Sequence, residues 1–115
     1  MAGVATAIGV LAVTATVAAG CAAAGAAAIR SAQVSVAADS AALAAADTAL
    51  GFVGGAPCER AEQIVSRKGL DLVACDVAGV IVTVEVGATT GVLPVRARAR
   101  AGPPETSSDR GGAGD

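Results

Sequence analysis

The chain opens on residues 1–29, MAGVATAIGVLAVTATVAAGCAAAGAAAI, which hold no charged side chain. The aliphatic weight lies early, in Val4, Ile8, Val10, Leu11, Val13 and Val17, and fades into alanine. Crossing a bilayer takes about 20 predominantly apolar residues in a helix, so this run predicts a transmembrane helix. Residues 29–50 contain no Gly and no Pro, and Ala is the best helix former. The helix is therefore expected to continue to about residue 50. At about 1.5 Å per residue it would be roughly 70 Å long, half in lipid and half projecting.

The projecting half, residues 30–50, has its own pattern. Ile29, Val36, Leu43 and Leu50 recur every seven residues. A seven-residue apolar repeat keeps one row of side chains facing a neighbouring helix, and flanking alanines let that neighbour approach closely. Asp39 and Asp47 are expected off the row, in solvent. The alternative is that the row covers the chain's own small domain. In either case the alanines, whose methyl groups bury little surface, are not expected to form a globular core.

Residues 51–56 then break the pattern with three glycines just ahead of Pro57. Pro57 suits the first turn of a second helix, PCERAEQIVSRK, because its missing N–H costs nothing there. Glu59 and Glu62 lie in its first turn and Arg67 and Lys68 in its last, both complementing the helix dipole. Gly69 fits the position just past its end. Ala61, Ile64 and Val65 form the apolar face, with Cys58 one turn earlier. Two strands follow. LDLVAC (70–75) is short and β-prone, DVAG (76–79) is expected to turn, and VIVTVEV (80–86) alternates. Val80, Val82, Val84 and Val86 fall on one face, and Thr83 and Glu85 on the other. A third stretch, VLPVRARARA (92–101), puts Val95, Ala97 and Ala99 opposite Arg96, Arg98 and Arg100. Pro94 would confine it to an edge. Such an edge reads either as a basic surface for lipid phosphates or a partner, or as a charged strand that resists aggregation. The class predicted is α+β: a long N-terminal helix, a linker, and an α–β–β(–β) unit over residues 57–102. The tail, 103–115, reads as disordered.

Composition makes a large independent core unexpected. The chain has 115 residues with one Phe, no Trp, no Tyr and no His. Below roughly 70–80 residues a single core seldom contributes more than a few kcal/mol without a staple or partner. Cys58 and Cys75, one on the helix and one at the end of the strand beneath it, could supply a staple worth roughly 3 kcal/mol. That requires an oxidising compartment. A redox pair is the other reading; zinc is disfavoured without His or a CxxC spacing.

Charge and chemistry exclude more than they assign. From residue 30 to 102 seven bases balance seven acids, and the tail brings the net charge to −2. Without His the usual general base is missing, and Ser/His/Asp or Cys/His arrangements cannot form. Neither GFVGG nor RGGAG has the context of a phosphate loop. Nucleic-acid binding would rest on RARAR without stacking aromatics. The expectation is no enzyme, cofactor, metal, nucleic acid or small-molecule substrate.

The apolar start has two other readings. A secretory signal peptide would match the run from residue 4 to 17 but lacks a basic leading segment. A lipoprotein signal would use VAAGC, with lipid on Cys21. Against it, Ala18 stands where Leu is usual, and AAAGAAAI keeps the chain apolar beyond the cysteine.

RSAQVSVAADSAALAAAD (30–47) resembles the segment just past the membrane helix of TadE-like proteins, where an Arg precedes an AADxAALAAA-type run. The Cys-led helix, LVACDVAGVIVTVEV and LPVRARARAGP are similar to a small actinobacterial branch of that group, encoded beside a helicase and tight-adherence secretion components. The likeness covers roughly residues 4–102. It implies a minor pilin-like subunit of a tight-adherence (Flp type IV-like) pilus or secretion system, anchored by its N-terminal helix and packing through it against other such subunits. Arg30 alone would favour a cytoplasmic C-terminal side, but the resemblance and the cysteine pair both imply that the C-terminal unit lies outside the cytoplasm. One departure stands out. Pilin precursors carry a basic leader, a Gly at the cleavage site and a Glu five residues later, but here Gly3 is followed by VATAI, with Ile8 in the place of Glu. Either processing is lost or the true start lies upstream of Met1. The competing function is a secreted protein or lipoprotein, cleaved near Cys21, that acts on an envelope or host target through the arginine strand.

Overall fold

The computed structural model describes residues 1–88 and 94–104. Val92 and Leu93 of the third extended stretch, and the tail from residue 105, lie outside the described residues. The elements are α1 (Ala2–Ala49), α2 (Pro57–Arg67), β1 (Asp71–Ala78), β2 (Ile81–Ala88) and β3 (Val95–Ala101). The strands form one antiparallel sheet in the order β1-β2-β3, giving the α+β arrangement the pattern implies. The chain divides into two units, Met1–Ala32 and a second starting at Gln33, and each is taken by itself.

The first unit is helical and exposed along its length up to Ile29. Val4, Ile8 and Leu11 fall on one side of it and Val10, Val13 and Val17 on the opposite side, with alanines between. Up to Ile29 no side carries a charge, as in a helix that meets an apolar solvent all round. The threonine hydroxyls are satisfied inside the helix. Thr6, Thr14 and Thr16 donate to the carbonyls of Ala2, Val10 and Ala12 at 2.9, 2.8 and 2.8 Å. These polar side chains therefore need no water, a condition lipid imposes on every polar group.

The second unit contains the core, and the alanine run is half of it. Ala37, Ala38, Ala41, Ala42, Ala45 and Ala46 are buried with Val34. They join one cluster with Val82, Val84 and Val86 of β2 and Ala99 and Ala101 of β3. This corrects the expectation that the run stands outside any globular centre. Residues 33–49 belong to the same compact unit as the sheet instead of forming a separate projection. The physical reason is division of labour. Methyl groups keep the helix surface smooth enough for close approach, and β-branched residues supply the volume. The largest fully buried side chains are all valines: Val34, Val65, Val82, Val84 and Val86.

α2 covers the neighbouring part of this face. Pro57 occupies its first turn, and the Arg60 N–H donates to the Ala56 carbonyl at 3.1 Å. Ala61 and Val65 are buried, Ile64 half-buried. The helix ends where Gly69 takes φ +70°. The N–H groups of Gly69 and Leu70 then donate back to Ser66 and Val65 at 3.0 and 3.2 Å. This is the Schellman ending, and Leu70 rests against the core as the residue after the glycine commonly does.

The sheet differs from the predicted one in two places. β1 runs on to Ala78, so the hairpin turn is Gly79-Val80, not residues 76–79. Gly79 has φ +65° and Val80 has none above zero, the pattern of a type II′ hairpin turn. Val80 therefore leaves the inner face and is exposed. The second difference is a bulge at Val73, between the pairs Leu72↔Val86 and Ala74↔Glu85. Residues three apart in a regular strand face opposite ways. The extra residue lets Leu72 and Cys75 both pack on the core side.

Candidate interaction surface

The heptad row falls on the side of α1 that the fold leaves open. Positions seven apart drift by only about 20° around a helix, so Val36, Leu43 and Leu50 of the second unit stay together, roughly opposite the buried alanines. Ile29, in the first unit, is 62% exposed; Val36, Leu43 and Leu50, in the second, are 57%, 61% and 38% exposed. The reading in which this row covers the chain's own small domain is thereby overturned, because the alanines do that. Asp39 and Asp47 are exposed as expected. Each lies four residues from Leu43, hence one turn away on the same side of the helix.

Just beyond the row, α1 ends as α2 does, but with the opposite result. Gly51 has φ +85°, and the N–H groups of Gly51 and Phe52 donate to Thr48 and Asp47 at 3.1 and 3.0 Å. Phe52 occupies the position that Leu70 occupies after α2, yet the residue it would rest on is Asp47. It is 78% exposed, and Val53 is exposed beside it in sequence. Sequence reasoning treated residues 51–56 only as a linker and missed both. The available signal was the sole aromatic residue of the chain placed directly after a helix-ending glycine.

Cys58 and Cys75 are joined by a disulfide, with 5.9 Å between their Cα atoms. The bulge at Val73 turns Cys75 toward α2, so the link depends on an irregularity that spacing alone does not reveal. The staple ties the start of α2 to the strand under it and closes a loop of 17 positions. Cys21 is the remaining cysteine; it is exposed on α1 within the first unit.

The arginines occupy an edge strand, with all three exposed. Arg98 meets Glu85 of β2 at 3.2 Å and Arg96 meets it at 3.7 Å. Register explains this: Glu85 pairs with Arg98 across the ladder, and Gly87 with Arg96. Arg100 is opposite Thr83 instead and forms no ion pair among the described residues. Two of the three bases are thus turned onto the sheet's own carboxylate. Glu85 was expected on this face but not as their partner.

A shallow open groove lies between α1 and the end of β3, lined by Asp39, Ala42, Leu43, Arg100, Ala101 and Gly102. On the other flank of α1, Lys68 of the α2 end donates to the Ser40 hydroxyl at 3.5 Å. No three metal-ligating side chains gather among the described residues. What the surface offers is an apolar row with acidic neighbours, suited to packing. No family model, curated protein or solved structure matches the chain.

Proposed function

We propose that the chain is a membrane-anchored, minor pilin-like structural subunit of a tight-adherence (Flp type IV-like) pilus or secretion system, assembled through α1. The observation that carries this reading is the heptad row. A small fold that already buries six alanines of the same helix leaves Val36, Leu43 and Leu50 uncovered, where a second helix would cover them. Two further features agree with it. α1 is long and apolar enough to cross a membrane. The disulfide favours an oxidising compartment, which agrees with the unit from Gln33 on lying outside the cytoplasm. The resemblance of residues 30–47 to TadE-like proteins supplies the kind of assembly.

The test is Leu43→Glu in the full chain, purified with its native membrane partners. A carboxylate inside a packed helix seam is strongly unfavourable, so co-purification with other pilin-like subunits should be lost. The second unit should keep its disulfide and its melting transition, because Leu43 is outside the core. Unchanged co-purification would count against assembly through this row.

A further inference from the structure

Resting on that assembly reading, we propose that the row of Val36, Leu43 and Leu50 selects a helix of a different subunit, one with basic residues beside its apolar heptad, and rejects a second copy of this chain. The exposed residues of α1 from Gln33 on are Gln33, Ser35, Val36, Asp39, Leu43 and Asp47, and Leu50 follows directly after its end. The only charges among them are the two aspartates, one turn on either side of Leu43. Neither carboxylate forms an ion pair among the described residues. The nearby bases leave them available: Arg100 lines the groove with Asp39 but does not pair with it, and Lys68 is turned to Ser40.

Copies anchored in one membrane by the same segment stand parallel, at the same depth. Pairing them through this row would bring like positions level, Asp39 against Asp39 and Asp47 against Asp47. Like charges at helix seams oppose pairing and are a common device for partner choice. A parallel helix with Lys or Arg at those two levels would instead gain two attractions while covering the same apolar row.

The experiment uses the full chain in nanodiscs of uncharged lipid and two labelled synthetic helices. Both carry the same leucine heptad; one has lysines flanking it and the other glutamates. The lysine helix should bind about tenfold more tightly than the glutamate helix, as two modest pair energies would give. The double variant Asp39→Lys, Asp47→Lys should reverse that order, while Leu43→Glu should remove binding of both. Self-association of the full chain, read by energy transfer between labelled copies, should be absent. Equal binding of the two helices, or an order unchanged by the charge reversal, would overturn the choice of partner. Self-association abolished by Leu43→Glu would also overturn it and yet leave assembly through the row standing. Binding of neither helix together with no self-association would remove both.

Discussion

Ala41 and Leu43 are two positions apart on one helix and meet opposite surroundings, since two residues turn a helix by about 200°. Ala41 is fully buried against the valines of β2, while Leu43 is 61% exposed. Their substitutions should therefore behave in opposite ways. Ala41→Leu adds three carbons where helix and sheet are in contact, and overpacking of that kind typically costs about 1–3 kcal/mol. Leu43→Ser removes an exposed side chain, and its effect on stability should stay within about 0.5 kcal/mol. Denaturant unfolding of both variants measures the contrast; equal losses would mean that the two sides of α1 are wrongly assigned. Glu85 makes a third case. Its arginine partners are exposed, so Glu85→Gln should cost less than about 1 kcal/mol.

At the scale of elements, the parts that were legible in the sequence are those whose signal sits in large or special residues. The alternating valines of β2, the proline and Glu59 that open α2, and the glycines that end both helices all stand where their chemistry places them, whereas Glu62 falls in the second turn of α2 and not in its first. The core face of α1 was not legible, because periodicity weights large side chains and the inward face consists mostly of methyl groups. The larger residues marked the outward face instead. The bulge at Val73 was equally hidden: no residue type announces it, and its effect on Cys75 is visible only once the strands are paired. The interaction row was readable as a row, but which way it faced was not. Two predictions belong to this scale. Replacing Cys58 and Cys75 together by serine should destabilise the second unit by roughly 3 kcal/mol, the loop-closure value for a link of this span. Urea unfolding should show the loss, matched by reduction of the unaltered chain. Gly79→Val should weaken the hairpin by about 1 kcal/mol or more, because a β-branched residue is poorly suited to φ +65°; an unchanged midpoint would rule out the positive φ at the turn.

At the scale of the whole molecule, one helix takes on two tasks that are usually divided. Its start is apolar on all sides and satisfies its own threonines. Its later part presents alanines to the sheet and a heptad row away from it. Such a helix explains how so small a chain can bury a core and still retain an uncovered apolar face. The most direct measurement of that claim is in-cell photocrosslinking from single positions of α1, with a photoreactive residue at 41 in one version and at 43 in the other. Position 43 should yield an adduct with a second membrane-anchored protein, and position 41 only links within the chain. An adduct from 41 as strong as that from 43, or none from 43 in cells that assemble the system, would contradict the account.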